Sequence, residues 1–327
     1  MKNEKYPLIS VVMLNYNGLK YLKRTILPIL KLNYQNYEIV IVDNGSTDGS
    51  IEFIKKFKKI RLIENGENLG YSKGKNIGVK HARGEYVLLL DEDILILSKS
   101  ILLRLYKTIK NREDIFNISL LLTNKDEIKT EYYGGFYSLY GILNRKKIHT
   151  TKILNSDKLL IKIASPDGGA LFFKREIYNQ MGGYDESQPY FCDVGDYGIR
   201  GTIITGRENY LYTKLNLIHL GDIRKSDNKI WCWKYKYIFI GMSKIIIKNY
   251  KMKNILSTYP LFCIFMVIKT FKQFFIRKSF KVFSSFFWSI KSTIIEMSSI
   301  LKKRREIQSK RIIKEDIFLK IKPPKFN

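Results

Sequence analysis

The stretch YVLLLDED, residues 86–93, decides the fold, because a continuous apolar run ends directly in three carboxylates. An apolar run without polar interruption is typical of a strand buried on both faces, as in a parallel sheet covered by helices. Ligands of such open sheets bind in the crevice beyond the carboxyl ends of the strands. The stretch therefore predicts an α/β sheet that presents Asp91, Glu92 and Asp93 to a ligand.

Outward from this stretch, short apolar runs alternate with segments of helical periodicity. Leu19, Leu22, Ile26 and Ile29 recur at helical spacing, and further helices are predicted at residues 51–57 and 72–82. This alternation predicts strand–helix units and a mostly parallel sheet. The predicted strands are residues 8–14, 38–42, 60–63, 86–90 and, after a less regular stretch, 169–174.

The charge of the chain is strongly positive and unevenly placed. Lys and Arg number 58 against 30 Asp and Glu, and the segment from residue 225 onward carries 24 basic and 5 acidic residues. Such an excess predicts an anionic partner, which could be nucleic acid, anionic lipid or a phosphorylated substrate. Three scattered cysteines and a short polar N-terminus predict a cytoplasmic protein.

The longest uncharged run, residues 254–268, falls short of a membrane span. A spanning helix needs roughly 20 apolar residues, and Pro260 is expected to interrupt this one. We therefore do not expect a transmembrane helix there.

The carboxylates that follow the apolar run could bind a divalent cation. Hard cations that bridge phosphates, Mg²⁺ or Mn²⁺, are held by one or two such oxygens plus water. Ordinary solvated turns also contain clustered acids, so this interpretation needs further motifs. His219, after the strand-like run 210–218, could complete a metal site, although a lone histidine is more often structural.

Two further motifs could contact a nucleotide. In VDNGSTD, residues 42–48, Asp43 could accept a hydrogen bond from a base N–H, or it could serve the turn and the following helix. In NLGYSKGKNIG, residues 68–78, glycines and basic residues such as Lys73 open a helix that could approach phosphate oxygens.

The segment DVGDYGIR, residues 193–200, places Asp193 and Asp196 on one helix face, where one of them could act as a general base. The alternative is structural: Asp193 caps the helix, and Asp196 forms an i,i+4 ion pair with Arg200 on an exposed face. The residues alone do not decide between the two.

Taken together and in this order, these motifs resemble the family 2 glycosyltransferases over residues 7–222. The resemblance implies the GT-A nucleotide-diphospho-sugar transferase fold, a Rossmann-like mixed α/β sheet. It also implies an inverting transfer by a single displacement, with an enzyme carboxylate as base. The VDNGSTD form is most similar to the rhamnosyltransferase-type members, which use uridine or deoxythymidine diphosphate sugars.

The resemblance also assigns residues. Asp43 would contact the base, Asp91 the ribose and the metal shell, and Asp93 the divalent ion, with His219 completing its coordination. The other donor-binding candidates, taken from the matching motifs, are Asn15, Asn17, Asn68 and Lys73. Many relatives carry adjacent acids where this chain has Asp193 and Val194, so the base stays open between Asp193 and Asp196.

The C-terminal region, residues 226–327, is expected to follow a catalytic domain at residues 1–225 and to form basic, aromatic-rich helices. Such helices suit the headgroup layer of an anionic membrane, which predicts a peripheral enzyme on the inner face with a saccharide or lipid-linked acceptor. The alternatives are helices that merely pack on the catalytic domain, a catalytically silent sugar-nucleotide-binding scaffold, or a nucleic-acid-binding protein. A nucleic-acid-binding function would leave the acidic strand ends unexplained, so we do not expect nucleic acid as a partner.

Overall fold

The computed structural model describes residues 6–124, 130–132, 134–138, 143–145, 150–188, 191–221 and 228–323. Its first part is a series of parallel strands joined by helices. In space the strands follow the order β3-β2-β1-β4, so β1 lies between β2 and β4. The elements are β1 (Ile9–Asn15), α1 (Leu19–Leu30), β2 (Tyr37–Asp43), α2 (Ser50–Lys55), β3 (Ile60–Glu64), α3 (Tyr71–His81) and β4 (Tyr86–Asp91).

The predicted α/β class is confirmed, and the predicted strands lie within one or two residues of those observed. The reason is physical, since β1 and β4 are buried almost throughout and such strands appear in a sequence as unbroken apolar runs. The register places Asn15 beside Asp43 and Leu14 beside Asp91. The carboxyl ends of three strands therefore meet at one edge of the sheet.

The second part of the sheet is mixed. One strand, β11, runs antiparallel between β4 and β6, and the sheet continues through β12 to β10. Its elements are β5 (Ile94–Leu95), α4 (Ile101–Ile109), β6 (Ile115–Thr123), β7 (Thr130–Tyr132), β8 (Gly135–Tyr137), β9 (Leu143–Arg145), α5 (Thr150–Leu154), β10 (Leu160–Ile163), β11 (Ala170–Lys174), α6 (Arg175–Met181), α7 (Asp193–Thr205) and β12 (Glu208–His219).

The basic C-terminal region is helical, as predicted, and part of it shares the core of the sheet domain. Tyr235, Phe239 and Tyr250 are buried in the same hydrophobic cluster as Tyr197 and Ile203 of α7. The alternative of helices packed on the preceding region thus describes the first of them well. The elements are α8 (Asn228–Asn249), α9 (Met252–Arg277), α10 (Lys281–Ile295), α11 (Met297–Ser309) and a 3₁₀ turn (Ile317–Lys320).

Helix α9 differs from the sequence expectation, because it runs through Pro260 without a break. Proline removes one backbone donor, and this loss is tolerated where neighbouring turns hold the helix. Among the described helices, α9 alone has the length and apolar composition to cross a bilayer, by those two measures only. Just 22% of its most apolar stretch is buried, so α9 presents a wide apolar face outward.

Candidate active site

Asn15 and Asp43, at the tips of β1 and β2, are joined to the turn after β2. The Asn15 Nδ2 donates to Asp43 Oδ2 at 2.7 Å, and the Ser46 backbone N–H donates to Asp43 Oδ1 at 2.8 Å. Asp43 is fully buried, and the Ser46 hydroxyl donates to it at 2.7 Å. The structural alternative for Asp43, a turn carboxylate, is therefore present in the fold. Its Oδ2 already accepts from both Asn15 and Ser46, whereas its Oδ1 accepts from the Ser46 N–H and retains capacity for a further hydrogen bond.

Two other predicted donor residues shape neighbouring loops. Asn17, at a φ of +50°, accepts from the Thr47 backbone N–H at 2.8 Å. Asn68 accepts from the Gly70 backbone N–H at 2.9 Å and from Asn44 Nδ2 at 3.0 Å. Both side chains fix the loops that border the sheet edge, and both loops lie next to the start of a helix.

The basic residues of α3 divide between solvent and interior. Lys73, the predicted donor contact, is exposed, whereas Lys75 is fully buried. The Lys75 Nζ lies 2.7 Å from Asp91 Oδ1 and donates to the Gly168 carbonyl at 2.9 Å. The Tyr71 hydroxyl donates to the same carbonyl at 3.0 Å. Lys75 thus connects the tip of β4 to the chain entering β11.

Sequence reasoning missed Lys75, although a signal existed. Gly74 and Gly78 let α3 approach the sheet, since an added Cβ would lie 2.5 Å from Leu14 or Val12 side-chain atoms. Lys75 shares the helix face of these glycines. A lysine on a face marked by closely spaced glycines predicts a buried charge that needs a carboxylate partner.

The remaining acids after β4 approach the end of β12. Asp93 Oδ2 lies 2.9 Å from His219 Nε2, and the Leu220 N–H donates to the Asp93 carbonyl at 2.8 Å. Gly221 is needed here, because a Cβ would lie 2.5 Å from Asp93 Oδ2. The predicted partnership of Asp93 and His219 is thus a close contact in the structure, between residues 126 positions apart in the chain.

The charges at this edge favour a cation. Burial raises the pKa of Asp91 despite the opposing Lys75, and burial together with Asp93 and Asp91 raises the pKa of Glu92 to about 8. The Asp93 Oδ1 atom is buried and has no hydrogen-bond partner among the residues that the structure describes. A bound cation would stabilise all three carboxylates.

The available side-chain ligands suit a metal that also binds substrate phosphates better than a metal coordinated by protein ligands alone. In the described part of the chain, no three His, Cys, Asp or Glu side chains converge to hold an ion by themselves. Two protein ligands are enough when substrate phosphates and water supply the others, as is usual for Mg²⁺. Asp93 and His219 supply such a pair.

The two base candidates have different surroundings. Asp193 begins α7, buried, and accepts from the Val194 N–H at 3.0 Å. Gly168 lies against Val194, since a Cβ at 168 would be 2.5 Å from Val194 Cγ2. The start of α7 therefore meets the chain segment whose carbonyl holds Lys75, which brings Asp193 to the same region as Asp91.

Asp196, by contrast, is held in a buried ion network. It lies 3.0 Å from Arg200 Nε and 3.0 Å from Lys248 Nζ, and Asn249 Nδ2 donates to it at 2.9 Å. The predicted i,i+4 ion pair with Arg200 is present, but the expected exposed face is wrong, because both side chains are buried. The network joins α7 to α8, which is a structural task.

The same network predicts acid sensitivity. Burial would raise the pKa of Asp185, but Lys248, at 2.5 Å, and Lys303 outweigh it and hold the pKa well below its ordinary value. The pKa of Asp196 is lowered by Lys248 and Arg200 against the same effect of burial. A lowered folded-state pKa contributes stability above the unfolded pKa of about 3.9, and that stability is lost as the pH falls.

We expect the free energy of unfolding to fall as the pH drops below about 5, most steeply below the unfolded pKa of about 3.9 and down toward the lowered folded-state pKa. Urea unfolding curves across this range measure it. The Asp185→Asn variant should be less stable at pH 7 and should show a shallower pH dependence. An equal slope in Asp185→Asn and in the exposed control Asp157→Asn would contradict this assignment.

Comparison with known proteins identifies the family. The sequence model described as glycosyl transferase family 2 matches residues 10–182, which is more than half of the chain. The chain belongs to this family. Among curated relatives, an uncharacterized glycosyltransferase of Haemophilus influenzae is 43% identical over 94 residues, covering 28% of this chain and 38% of the relative. The glycosyltransferase GlyG of Streptococcus pneumoniae is 36% identical over 110 residues, or 32% and 36% of the two chains.

These sequence matches are partial, since the chain covers little more than a third of either relative's length. Solved structures extend the likeness in fold. Mannosyltransferase PcManGT from Pyrobaculum calidifontis was solved with GDP-Man and Mn²⁺. It matches with a TM-score of 0.57 at 15% identity, and the match covers 97% of this chain and 86% of the PcManGT chain. The structure of GalNAc-T7 with UDP, GalNAc and Mn²⁺ matches with a TM-score of 0.60 at 16% identity, and the match covers 77% of this chain and 49% of the GalNAc-T7 chain. The chain therefore has the GT-A fold.

Proposed function

We propose that this glycosyltransferase is inverting and divalent-metal-dependent, and that it moves a sugar from a uridine or deoxythymidine diphosphate donor to a saccharide or lipid-linked acceptor. One observation carries the proposal: Asp91 at the end of β4 pairs with Lys75, Asp93 lies beside His219, and Val194, next to Asp193, lies against Gly168, whose carbonyl binds Lys75. Two structural neighbours were solved with a nucleotide or nucleotide sugar and Mn²⁺, which supports a donor and metal of this kind.

In this proposal Asp93 and His219 would hold the metal, which would supply positive charge to the departing diphosphate. Asp91 would face the ribose and the metal shell, and its ion pair with Lys75 keeps the carboxylate in one orientation. Asp43 would accept from a base N–H through the remaining capacity of its Oδ1. Asn15 orients Asp43, and Asn17 and Asn68 set the loops around the nucleotide. The exposed Lys73, in the first turn of α3, is the candidate for a phosphate contact.

The base in this proposal is Asp193 rather than Asp196. A general base must reach the proton that it removes, and Asp196 already binds Arg200, Lys248 and Asn249 away from solvent. Asp193 is the first residue of α7, and its neighbour Val194 lies against Gly168, whose carbonyl binds Lys75. The acceptor hydroxyl transfers its proton to Asp193 as its oxygen attacks the anomeric carbon, and the diphosphate leaves from the opposite side.

The first experiment is a screen of nucleotide sugars for thermal stabilisation and metal-dependent hydrolysis. With the donor known, Asp193→Asn should lower transfer at least about 100-fold while leaving donor binding unchanged. Inversion is read from the anomeric configuration of the product. Transfer by Asp193→Asn at the wild-type rate would exclude it as the base. Failure of every donor to bind or react would favour the silent scaffold.

We also propose that the protein works on the cytoplasmic face of a membrane. The support is the C-terminal region, in which apolar side chains such as Leu256, Phe275 and Phe280 are more than two-thirds exposed, beside many lysines. An amphipathic surface with Lys and aromatic residues binds the headgroup region of anionic membranes. If this region instead bound nucleic acid, the protein would bind single-stranded nucleic acid and would not bind vesicles.

A further inference from the structure

A pocket of about 660 Å³ lies between the start of α9 and the middle of α11, outside the candidate active site. Helices α9 and α10 are in contact next to the turn between them, through Phe271 and Phe283, and the pocket lies at the other end of α9. Its lining includes four basic residues and two apolar ones, and the described lining contains no acid: Lys251, Lys253, Arg304, Arg305, Met252 and Leu301.

Most of the cations of the pocket form no close ion pair within the described part of the chain. Lys253 and Arg305 are exposed, and within the described chain neither they nor Lys251 has a carboxylate within 4 Å. Two acids lie nearby and already have closer partners. Asp316 is buried, accepts from the Lys251 backbone N–H at 2.8 Å and binds Arg311 at 3.0 Å. Glu315 pairs with Lys320 and attracts Lys253 and Lys251 more weakly. Arg304 is held by the protein, donating to the Ile247 and Tyr250 carbonyls at 2.6 Å each. The pocket is therefore a concentration of cationic donors open to an external anion.

An apolar stripe begins in the same pocket. Met252, Leu256, Pro260, Ile264 and Ile268 follow one another at four-residue spacing on α9, and all are exposed. Helical residues four apart are offset by about 40°, so Met252, Leu256 and Pro260 lie along one side of α9 for about 12 Å from the pocket, and Ile264 and Ile268 continue the row around the helix. Leu256, Ile264 and Ile268 are 71%, 57% and 62% exposed, so the stripe has no partner inside the described structure.

A ligand that satisfies both features has an anionic head and an apolar tail joined end to end. We propose that the pocket binds the phosphate headgroup of an anionic membrane phospholipid, with an acyl chain lying along the stripe of α9. Basic pockets beside apolar helices are sites where phosphate headgroups bind. This inference rests on the proposed membrane attachment. It assigns the attraction to anionic lipid to one defined binding site and not to a diffuse basic surface.

The test compares two double variants of the full chain with equal charge changes. Lys253→Gln/Arg305→Gln removes two exposed pocket cations. The matched control is Lys302→Gln/Lys310→Gln. It removes one exposed lysine in α11 and one directly after α11, and neither lines the pocket. Affinity is measured for phosphatidylcholine vesicles with about 20 mol% phosphatidic acid and for vesicles of phosphatidylcholine alone.

We expect the pocket variant to bind the anionic vesicles about 20-fold more weakly, and the control to lose less than about 3-fold. Excess inorganic phosphate should not displace the wild-type protein from vesicles. Equal losses in the two variants would show diffuse attraction and overturn the site. Displacement by inorganic phosphate would overturn the lipid assignment. Donor hydrolysis, measured on the same samples, should be unchanged in both variants, and its absence in the wild type would count against the proposed enzyme instead.

Discussion

Replacing Asp93 with asparagine is expected to lower metal-dependent donor hydrolysis at least about 1,000-fold, or about 4 kcal/mol of transition-state stabilisation. The substitution keeps the size of the side chain but removes its charge, next to His219 at 2.9 Å. A metal that neutralises the leaving diphosphate would lose its anionic ligand. The measurement is the initial rate of nucleotide release at saturating donor, over a series of Mn²⁺ and Mg²⁺ concentrations.

The metal series separates binding of the ion from a general loss of activity. A variant that only binds metal more weakly should recover part of its rate at high metal concentration, whereas the control Glu52→Gln, exposed on α2, should behave as wild type throughout. His219→Ala should likewise weaken binding of the metal. If Asp93→Asn retained the wild-type rate and metal response, Asp93 would not be a ligand.

Replacing Lys75 with methionine is expected to destabilise the protein by about 3 kcal/mol. Removing one partner of a buried ion pair leaves the other charge without compensation, and here Asp91 would also lose its link to the Gly168 carbonyl. Asp91 keeps one-quarter of its side chain exposed, which places the cost at the lower end for such pairs. Urea unfolding at pH 7 gives the shift in midpoint.

Helix α3 offers a matched control two residues earlier. Lys73→Met removes the same charge from an exposed position and should leave the urea midpoint unchanged. The double variant Lys75→Met/Asp91→Asn should be more stable than the sum of the two single changes implies, because it removes both charges. Equal midpoints for Lys75→Met and Lys73→Met would mean that the pair with Asp91 contributes nothing. Weaker donor binding by Lys73→Met would support its proposed phosphate contact.

Much of the fold could be predicted because β1, β2 and β4 are buried strands, and burial leaves a direct trace in the sequence. The antiparallel placement of β11 between β4 and β6 could not, since pairing between distant segments leaves no local periodicity. The passage of α9 through Pro260 was also missed, because the rule that proline breaks helices ignores what supports the helix from outside.

The site was predictable where acids follow a strand, and less so where a charge is buried. Asp91, Asp93 and Asp43 were placed by the strand ends that they follow, and His219 lies beside Asp93 as the order of motifs suggested. Lys75 was missed because lysine is expected at the surface. Asp196 and Arg200 were expected on an exposed face because nothing local indicated that Lys248, 52 residues later, would cover them.

The ion network of Asp185, Asp196 and Lys248 has a consequence for how such a chain can evolve. Recombination that exchanged the region after residue 225 for another would remove Lys248 and Lys303 from the buried Asp185, and would leave the buried Asp196 with Arg200 but without Lys248, a cost of several kcal/mol. Only a replacement that brought its own lysine to the same place would be tolerated. The sheet domain and its C-terminal helices are therefore constrained to be inherited together.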